Sequence, residues 1–250
     1  MANAHDLLMA QRASMMGGKP TALDYIGAKE AHDGQPSPLI AMWDGIENAG
    51  YGVHDPNATV WLDLVGGVEL VPINTARLGE KSLVSTTKDK NTATAAPVAA
   101  LQFPRTVETV FQRGAGARGT MVVFGSGDQK ENPSRLVHST EGGVVRGMAS
   151  INSMPVVNIK IGAANTVAFV YSAAAYSTTI PAAYLNGAAS AGRGYDTWWL
   201  KSERIGIGAY ENTNYGFLGE VFAVRLYNRT LTPAEIAANY AIDKARFGLT

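Results

Sequence analysis

From residue 105 onward, apolar and polar positions alternate along the chain. In RTVETVFQ, residues 105–112, Val107, Thr109 and Phe111 fall on one face and Thr106, Glu108 and Gln112 on the other, the period-two pattern of a half-buried strand. TMVVF, residues 120–124, is short and rich in β-branched residues, and VVNIKIG sets Val157, Ile159 and Ile161 against Asn158 and Lys160. TVAFVYS follows from Thr166, and AAYLNG closes on Asn186 and Gly187, a pair that favours tight turns. SERIGIGAY puts Ile205, Ile207 and Ala209 on one face, and GEVFAVRLYN places Phe222, Val224 and Leu226 opposite Val221, Arg225 and Tyr227. Short strands separated by turn signals, with no helical pattern between them, predict an all-β antiparallel sandwich or barrel.

The two ends read differently. In MANAHDLLMAQRASMMGGK, Ala4, Leu7, Leu8 and Met15 share one helical face, and Gly17 and Gly18 supply a stop. This predicts a short N-terminal helix that must pack on something to persist, which makes Leu7, Leu8 and Met15 candidate partner-docking residues. KEAHDGQPSPL, with two prolines and a glycine, reads as a linker. The expected organisation is a helical tether over 1–18, a linker over 19–38 and one domain over 39–250. Near the end, TLTPAEIAANYAIDKARFG predicts a capped helix. Thr232 is its N-cap, Pro233 its first position, Glu235 completes a capping box and Gly248 stops it. Ile236, Tyr240 and Phe247 recur on one side, so this helix should cover an open edge or end of the sandwich.

Composition narrows the function classes. Lys plus Arg and Asp plus Glu are both 21, so the formal net charge is zero, and nothing forms the basic stripe that nucleic-acid binding needs. The most basic stretch, GEKSLVSTTKDKN, is broken by acids and reads as a solvated loop. There is no cysteine, which excludes disulfides and cysteine-based zinc sites. No apolar run approaches the roughly 20 residues that span a bilayer, so no membrane insertion is expected. The opening stretch also lacks the pattern of a signal peptide.

QRGAGARGTMVVFGSG carries Gly114, Gly116 and Gly119 in the G-x-G-x-x-G spacing of dinucleotide-binding loops. That chemistry needs a helix N-terminus after the glycines to hold phosphate, and a strand follows instead. The glycines therefore read as a flexible hairpin connection.

The tail FLGEVFAVRLYNRTLTPAEIAANYAID resembles the closing segment of the concanavalin A-like lectin/glucanase superfamily in its laminin-G-like branch. There a Gly-x-hydrophobic strand runs into an Arg-hydrophobic-Tyr-Asn-Arg turn and a short capped helix. RTVETVFQR as an early core strand, NTVAFVYS with AYLNG as a central hairpin and SERIGIGAY as the penultimate strand keep the same order. LIAMWDGIENAGYGVHDPNATVWLDLVGG, with its W-x-D-L-x-G element, is similar to the opening of such domains in bacterial and phage proteins. The likeness covers about residues 39–247 and implies an antiparallel jelly-roll β-sandwich.

The acids expected of the superfamily's glucanases, a Glu-x-Asp-x-x-Glu strand, do not occur. Glycoside hydrolysis needs two carboxyl groups about 5–9 Å apart, whereas Glu108, Glu203, Glu211 and Glu220 stand singly and read as solvated surface groups. His5, His32, His54 and His138 lack metal-ligand spacing, and Ser126 in VFGSG is not a nucleophile elbow. No enzymatic activity and no required cofactor are expected. The resemblance implies calcium as an option, with Asp55, Asn57 and Asp128 as weak candidate ligands.

Carbohydrate binding asks for less: an aromatic face for a pyranose ring and amides for its hydroxyls. GYDTWWL and GAYENTNYG hold the densest such cluster, and Trp198, Tyr210, Asn212, Asn214 and Tyr215 are the candidate sugar contacts. Trp43 and Trp61 read as core. The expected function is a non-catalytic, lectin-like adhesion module on the surface of a virion or phage-tail-like particle. Its partners would be a surface glycan, other virion proteins through the N-terminal helix, and further copies of itself. A purely structural decoration or fibre protein is the alternative, and a glycoside hydrolase trails both.

Overall fold

A computed structural model of the chain describes residues 18–86, 92–94, 106–114, 119–125, 135–141, 144–148, 156–171, 182–190, 205–207 and 217–250. The predicted N-terminal helix, with Leu7, Leu8 and Met15, lies outside these residues. A 3-10 turn at Ala22–Asp24 and a short helix at Ala28–His32 open the described chain. Then follow β1 (Leu39–Asp44), β2 (Trp61–Leu62), β3 (Glu69–Pro72), β4 (Arg77–Leu78), β5 (Leu83–Ser85), β6 (Thr92–Thr94), β7 (Thr106–Arg113) and β8 (Gly119–Gly125). The second half adds β9 (Arg135–Glu141), β10 (Val144–Met148), β11 (Val156–Asn158), β12 (Ala164–Val170), β13 (Ala182–Leu185), β14 (Ala188–Ser190), β15 (Ile205–Ile207) and β16 (Gly219–Tyr227). The C-terminal helix is Pro233–Phe247.

Among the described residues, the strands form three antiparallel sheets. The largest runs β14-β13-β12-β7-β16-β5-β4, with β1 also on β16; the second runs β11-β10-β9-β8-β15, and the smallest β2-β3-β6. β7 lies along the whole of β16 on one side, while β5 and β1 share its other side end to end. This is the antiparallel β-sandwich that the alternation predicts and the resemblance implies.

Apolar side chains fill the space between the sheets. Val107 and Phe111 of β7, Val167 and Phe169 of β12, and Val224 and Leu226 of β16 meet Ile205 and Ile207 of β15 and Val157 beside them. Trp43 and Trp61 are both fully buried in this cluster, as expected.

Four expectations are corrected. First, the glycines after β7 do not close a hairpin, because β7 belongs to the large sheet and β8 to the second; the connection crosses between layers. Strand does flank them on both sides. Second, β16 does not alternate evenly. A bulge between Val221 and Ala223 inserts a residue, so Val221 joins Val224 and Leu226 in the intersheet core, and Phe222 turns to the other face. Third, Ile161 is 47% exposed and lies beyond β11, so the alternation that holds at Val157 and Ile159 stops before it.

The fourth concerns the far side of the large sheet, which is not solvated. The C-terminal helix lies across this face and does not cover an edge or end, so Leu231, Ile236 and Ile242 bury against Ala168, Val170 and Tyr227. Residues 19–38, which read as a linker, share that cover: Ala22, Tyr25 and Ala28 are buried in the same cluster, and the prolines and glycine mark only its exit at 34–38. The sheet is thus a middle layer, and its polar outward residues are enclosed as well.

Local signals behave as the residue types demand. Thr232 and Glu235 exchange capping bonds, with Glu235 N donating to Thr232 Oγ1 at 3.3 Å and Thr232 N donating to Glu235 Oε2 at 2.8 Å. Gly248 ends the helix in the left-handed region at φ 72°. Asn186 and Gly187 turn β13 into β14 with φ of 49° and 76°. A Cβ on Gly187 would stand 3.0 Å from the Tyr240 ring, and the residue carrying it would have to adopt a positive φ, so a larger residue there would be strained and would press on the helix.

Candidate functional site

The candidate sugar contacts Trp198, Tyr210, Asn212, Asn214 and Tyr215 lie outside the described residues, as do Asp128, Ser126, Glu203 and Glu211. In chain order, GYDTWWL falls between β14 and β15 and GAYENTNYG between β15 and β16. Both segments therefore link a strand of the large sheet to β15 of the second sheet.

Of the two described calcium candidates, Asp55 is engaged locally. Its Oδ1 accepts from Asn57 N at 2.8 Å, and Asn48 clasps its backbone through both amide atoms at 2.8 and 2.9 Å. Among the described residues, no group of three or more His, Asp or Glu side chains could hold a metal ion.

The W-x-D-L-x-G element proves to be a turn organised by one carboxylate. Asp63 Oδ1 accepts from Met42 N at 2.8 Å and Val65 N at 3.0 Å, and Oδ2 accepts from Gly66 N at 2.9 Å. A Cβ on Gly66 would sit 2.8 Å from Asp63 Oδ2, which explains the glycine. Burial pushes the Asp63 carboxyl up to about 6 against the opposing pull of these amides. A folded-state value above the ordinary one means that the protonated carboxyl favours folding. Its contribution is complete below about pH 4 and is lost as pH rises through about 6. A carbon-13 titration of the Asp63 carboxyl should therefore give a midpoint near 6; a midpoint below 4 would show that the amides outweigh burial.

The motif at the end of the chain forms a buried polar network. Glu108, read from sequence as a solvated acid, is fully buried, because the helix covers the face it occupies. It stands directly across from Arg225 in the β7–β16 register. Arg225 Nε donates to Glu108 Oε2 at 2.9 Å, and its two terminal nitrogens grip Asp243 of the helix at 2.8 Å each. Thr166 and Tyr25 also donate to Asp243, at 2.9 and 2.7 Å. Asn239 donates to Glu108 and to the Tyr227 hydroxyl, both at 2.9 Å.

A second group adjoins the first. Arg246 bridges Asp44 and Glu47, each at 2.8 Å, and the Tyr25 ring lies 4.0 Å from the Arg225 guanidinium and 5.6 Å from that of Arg246. Burial raises both Glu108 and Asp44 above the usual carboxylate range, against the pull of Arg225 and Arg246 respectively. No substrate reaches Glu108 or Asp243, since both are wholly buried. Glu220 accepts from Ser82 Oγ at 2.7 Å. The sequence signal for this network was the pairing of opposite charges at facing strand positions, together with Asn239 and Asp243 spaced four apart on the helix. It becomes readable only once the register is known.

A laminin G family model, described as the concanavalin A-like lectin/glucanases superfamily, matches residues 86–237. No curated protein sequence matches the chain. Among solved structures, the fold is similar to Trypanosoma rangeli sialidase in complex with sialic acid, with TM-score 0.61 and 15% identity over 88% of this chain and 38% of that one. The chain thus spans about two fifths of the sialidase's length. A mutant of HCR/D gives TM-score 0.57 and 11% identity over 82% of this chain and 51% of that one. The Ruminococcus gnavus IT-sialidase CBM40 bound to α2,3-sialyllactose gives 0.48 and 13% over 64% and 96%. At these identities the likeness is one of fold.

Proposed function

Because the chain belongs to the concanavalin A-like lectin/glucanase superfamily, we propose that it is a non-catalytic glycan-binding module. The family match over residues 86–237 carries this reading, since the aromatic and amide cluster at 195–215 lies inside it. The fold it shares with a sialidase that holds sialic acid supports a sugar as ligand and makes sialylated glycans the first class to try. Among the described residues, Glu108 and Asp243 are committed to Arg225 beneath a helix, where neither could protonate a leaving group. Trp198 and Tyr210 would stack on a pyranose, and Asn212, Asn214 and Tyr215 would bond its hydroxyls.

The module would be displayed on a virion or phage-tail-like particle, held by residues 1–18 against other particle proteins or further copies of this chain. No helix among the described residues is long and apolar enough to cross a membrane. A glycan array including sialylated oligosaccharides is the test. The intact chain should bind at least one glycan class, and Trp198→Ala should weaken that binding by about tenfold or more, equivalent to about 1.4 kcal/mol. Binding to nothing would transfer the protein to the structural-decoration reading, and release of cleaved sugar would revive a hydrolase.

A further inference from the structure

The loop between β1 and β2 is built around one peptide bond. Asp-Pro occurs once in the chain, at Asp55–Pro56. Two donors converge on the Asp55 carbonyl oxygen, Asn48 Nδ2 at 2.9 Å and Ala58 N at 3.2 Å. A third, Asn57 N, holds the Asp55 carboxyl through Oδ1 at 2.8 Å. Pro56 and Asn57 are exposed and Asp55 is half-buried, so water reaches the bond.

A turn stabilised by its own aspartate accounts for the bonds from Asn57 and Ala58, but not for Asn48. Asn48 is wholly buried and commits both amide atoms to this residue, accepting from Asp55 N at 2.8 Å while it donates to the carbonyl. Its own backbone is anchored, because Leu62 N donates to the Asn48 carbonyl at 3.2 Å, and the stretch between is closed by Val53 N on the Gly50 carbonyl at 2.9 Å. The side chain is therefore fixed before any charge develops on the oxygen that it faces, the condition under which a donor stabilises a tetrahedral intermediate. The attacking group is also close, since the carboxyl belongs to the same residue and would close a five-membered ring. The prolyl nitrogen, part of a tertiary amide, accepts a proton more readily than an ordinary peptide nitrogen and leaves as a secondary amine.

We propose that this loop cleaves its own Asp55–Pro56 bond, with the Asp55 carboxyl as nucleophile and Asn48 Nδ2 and Ala58 N as the oxyanion donors. A carboxyl oxygen attacks the Asp55 carbonyl carbon, and the charge of the addition falls on the carbonyl oxygen. The carboxyl proton passes to the Pro56 nitrogen, the carbon–nitrogen bond breaks with its electron pair on that nitrogen, and the carbonyl re-forms. The products are a cyclic anhydride at Asp55 and a free amine at Pro56; one water then opens the anhydride and leaves Asp55 as a new C-terminus. The two pieces stay together, because β1 remains paired with β16 and Trp43 remains buried between the sheets. Cleavage would thus turn the covalent link between residues 1–55 and the rest of the chain into a non-covalent one. Neither the reaction nor its consequence depends on glycan binding.

The test incubates the full chain in mildly acidic buffer, folded and in parallel with denaturant in the same buffer, and follows the fragments by intact-mass measurement. The folded chain should yield pieces ending at Asp55 and beginning at Pro56 at least about tenfold faster than the denatured chain, which has the same bond without the fixed donors. Asp55→Ala should abolish both fragments, and Asn48→Ala should slow their appearance by about tenfold or more. Size-exclusion chromatography of the cleaved, folded chain should bring both pieces out in one peak; elution apart would overturn their retention. Equal rates in the folded and denatured chain overturn the proposal even if Asn48→Ala fails to fold. So would the absence of fragments, or cleavage at this bond that survives Asp55→Ala.

Discussion

Replacing Arg225 by alanine should lower the unfolding free energy by about 3–5 kcal/mol, the cost of leaving buried charge without its partner. Arg225 is wholly buried and is the cation shared by Glu108 and Asp243. Its removal strands both carboxylates where water cannot reach them, and it also removes the guanidinium that stacks on Tyr25. For a chain of this size, each kcal/mol is worth roughly 2–4 °C, so the melting temperature should fall by about 6–20 °C. Arg225→Lys keeps the charge but not the fork that spans two acids on different elements, and should fall between wild type and alanine. Thermal unfolding of the three proteins checks the order; a loss below about 1 kcal/mol for alanine would show that the network contributes little.

Trp43→Ala should cost about 3–5 kcal/mol by cavity formation. Trp43 is fully buried on β1, in the cluster between the sheets, and donates from its indole nitrogen to the Val68 carbonyl at 3.3 Å. It also bridges to Asp63, so its loss would open the place where β1 meets the 63–68 turn. Trp43→Phe keeps most of the apolar volume and should recover about half of the loss. Urea unfolding distinguishes a local cavity, which moves the midpoint and leaves the slope unchanged, from a looser native state, which lowers the slope.

Period-two alternation located β7, β11, β15 and β16 because each buries one face in the intersheet core, and the caps of the C-terminal helix were legible because they rest on side chains three residues apart. The limits arise where the same pattern has two physical causes. Thr106 and Glu108 look like a solvated face, yet a polar face is equally compatible with enclosure when partners meet it, and those partners come from residues more than 100 positions away. The β16 bulge leaves no mark in the sequence because Val221 and Phe222 are both apolar, so that either could face the core. Proline and glycine at 34–38 signalled a boundary, which hid the burial of Tyr25 and Ala28 just before it. Of the candidate site, Asp55 and Asn57 resolve into a local turn, and the aromatic cluster at 195–215 rests on sequence and connectivity.

The central place of β16 in the large sheet bears on how the chain is made. Its neighbours β1, β5 and β7 are all synthesised earlier, yet β1 and β5 meet β7 only through it. While the ribosome is still reading the middle of the message, those strands expose open edges that nothing in the emerging polypeptide can yet satisfy. Collapse into the native sheet must wait until β16 itself has been translated, more than 100 residues after β7, which leaves a long interval in which a chaperone would find its binding sites bare.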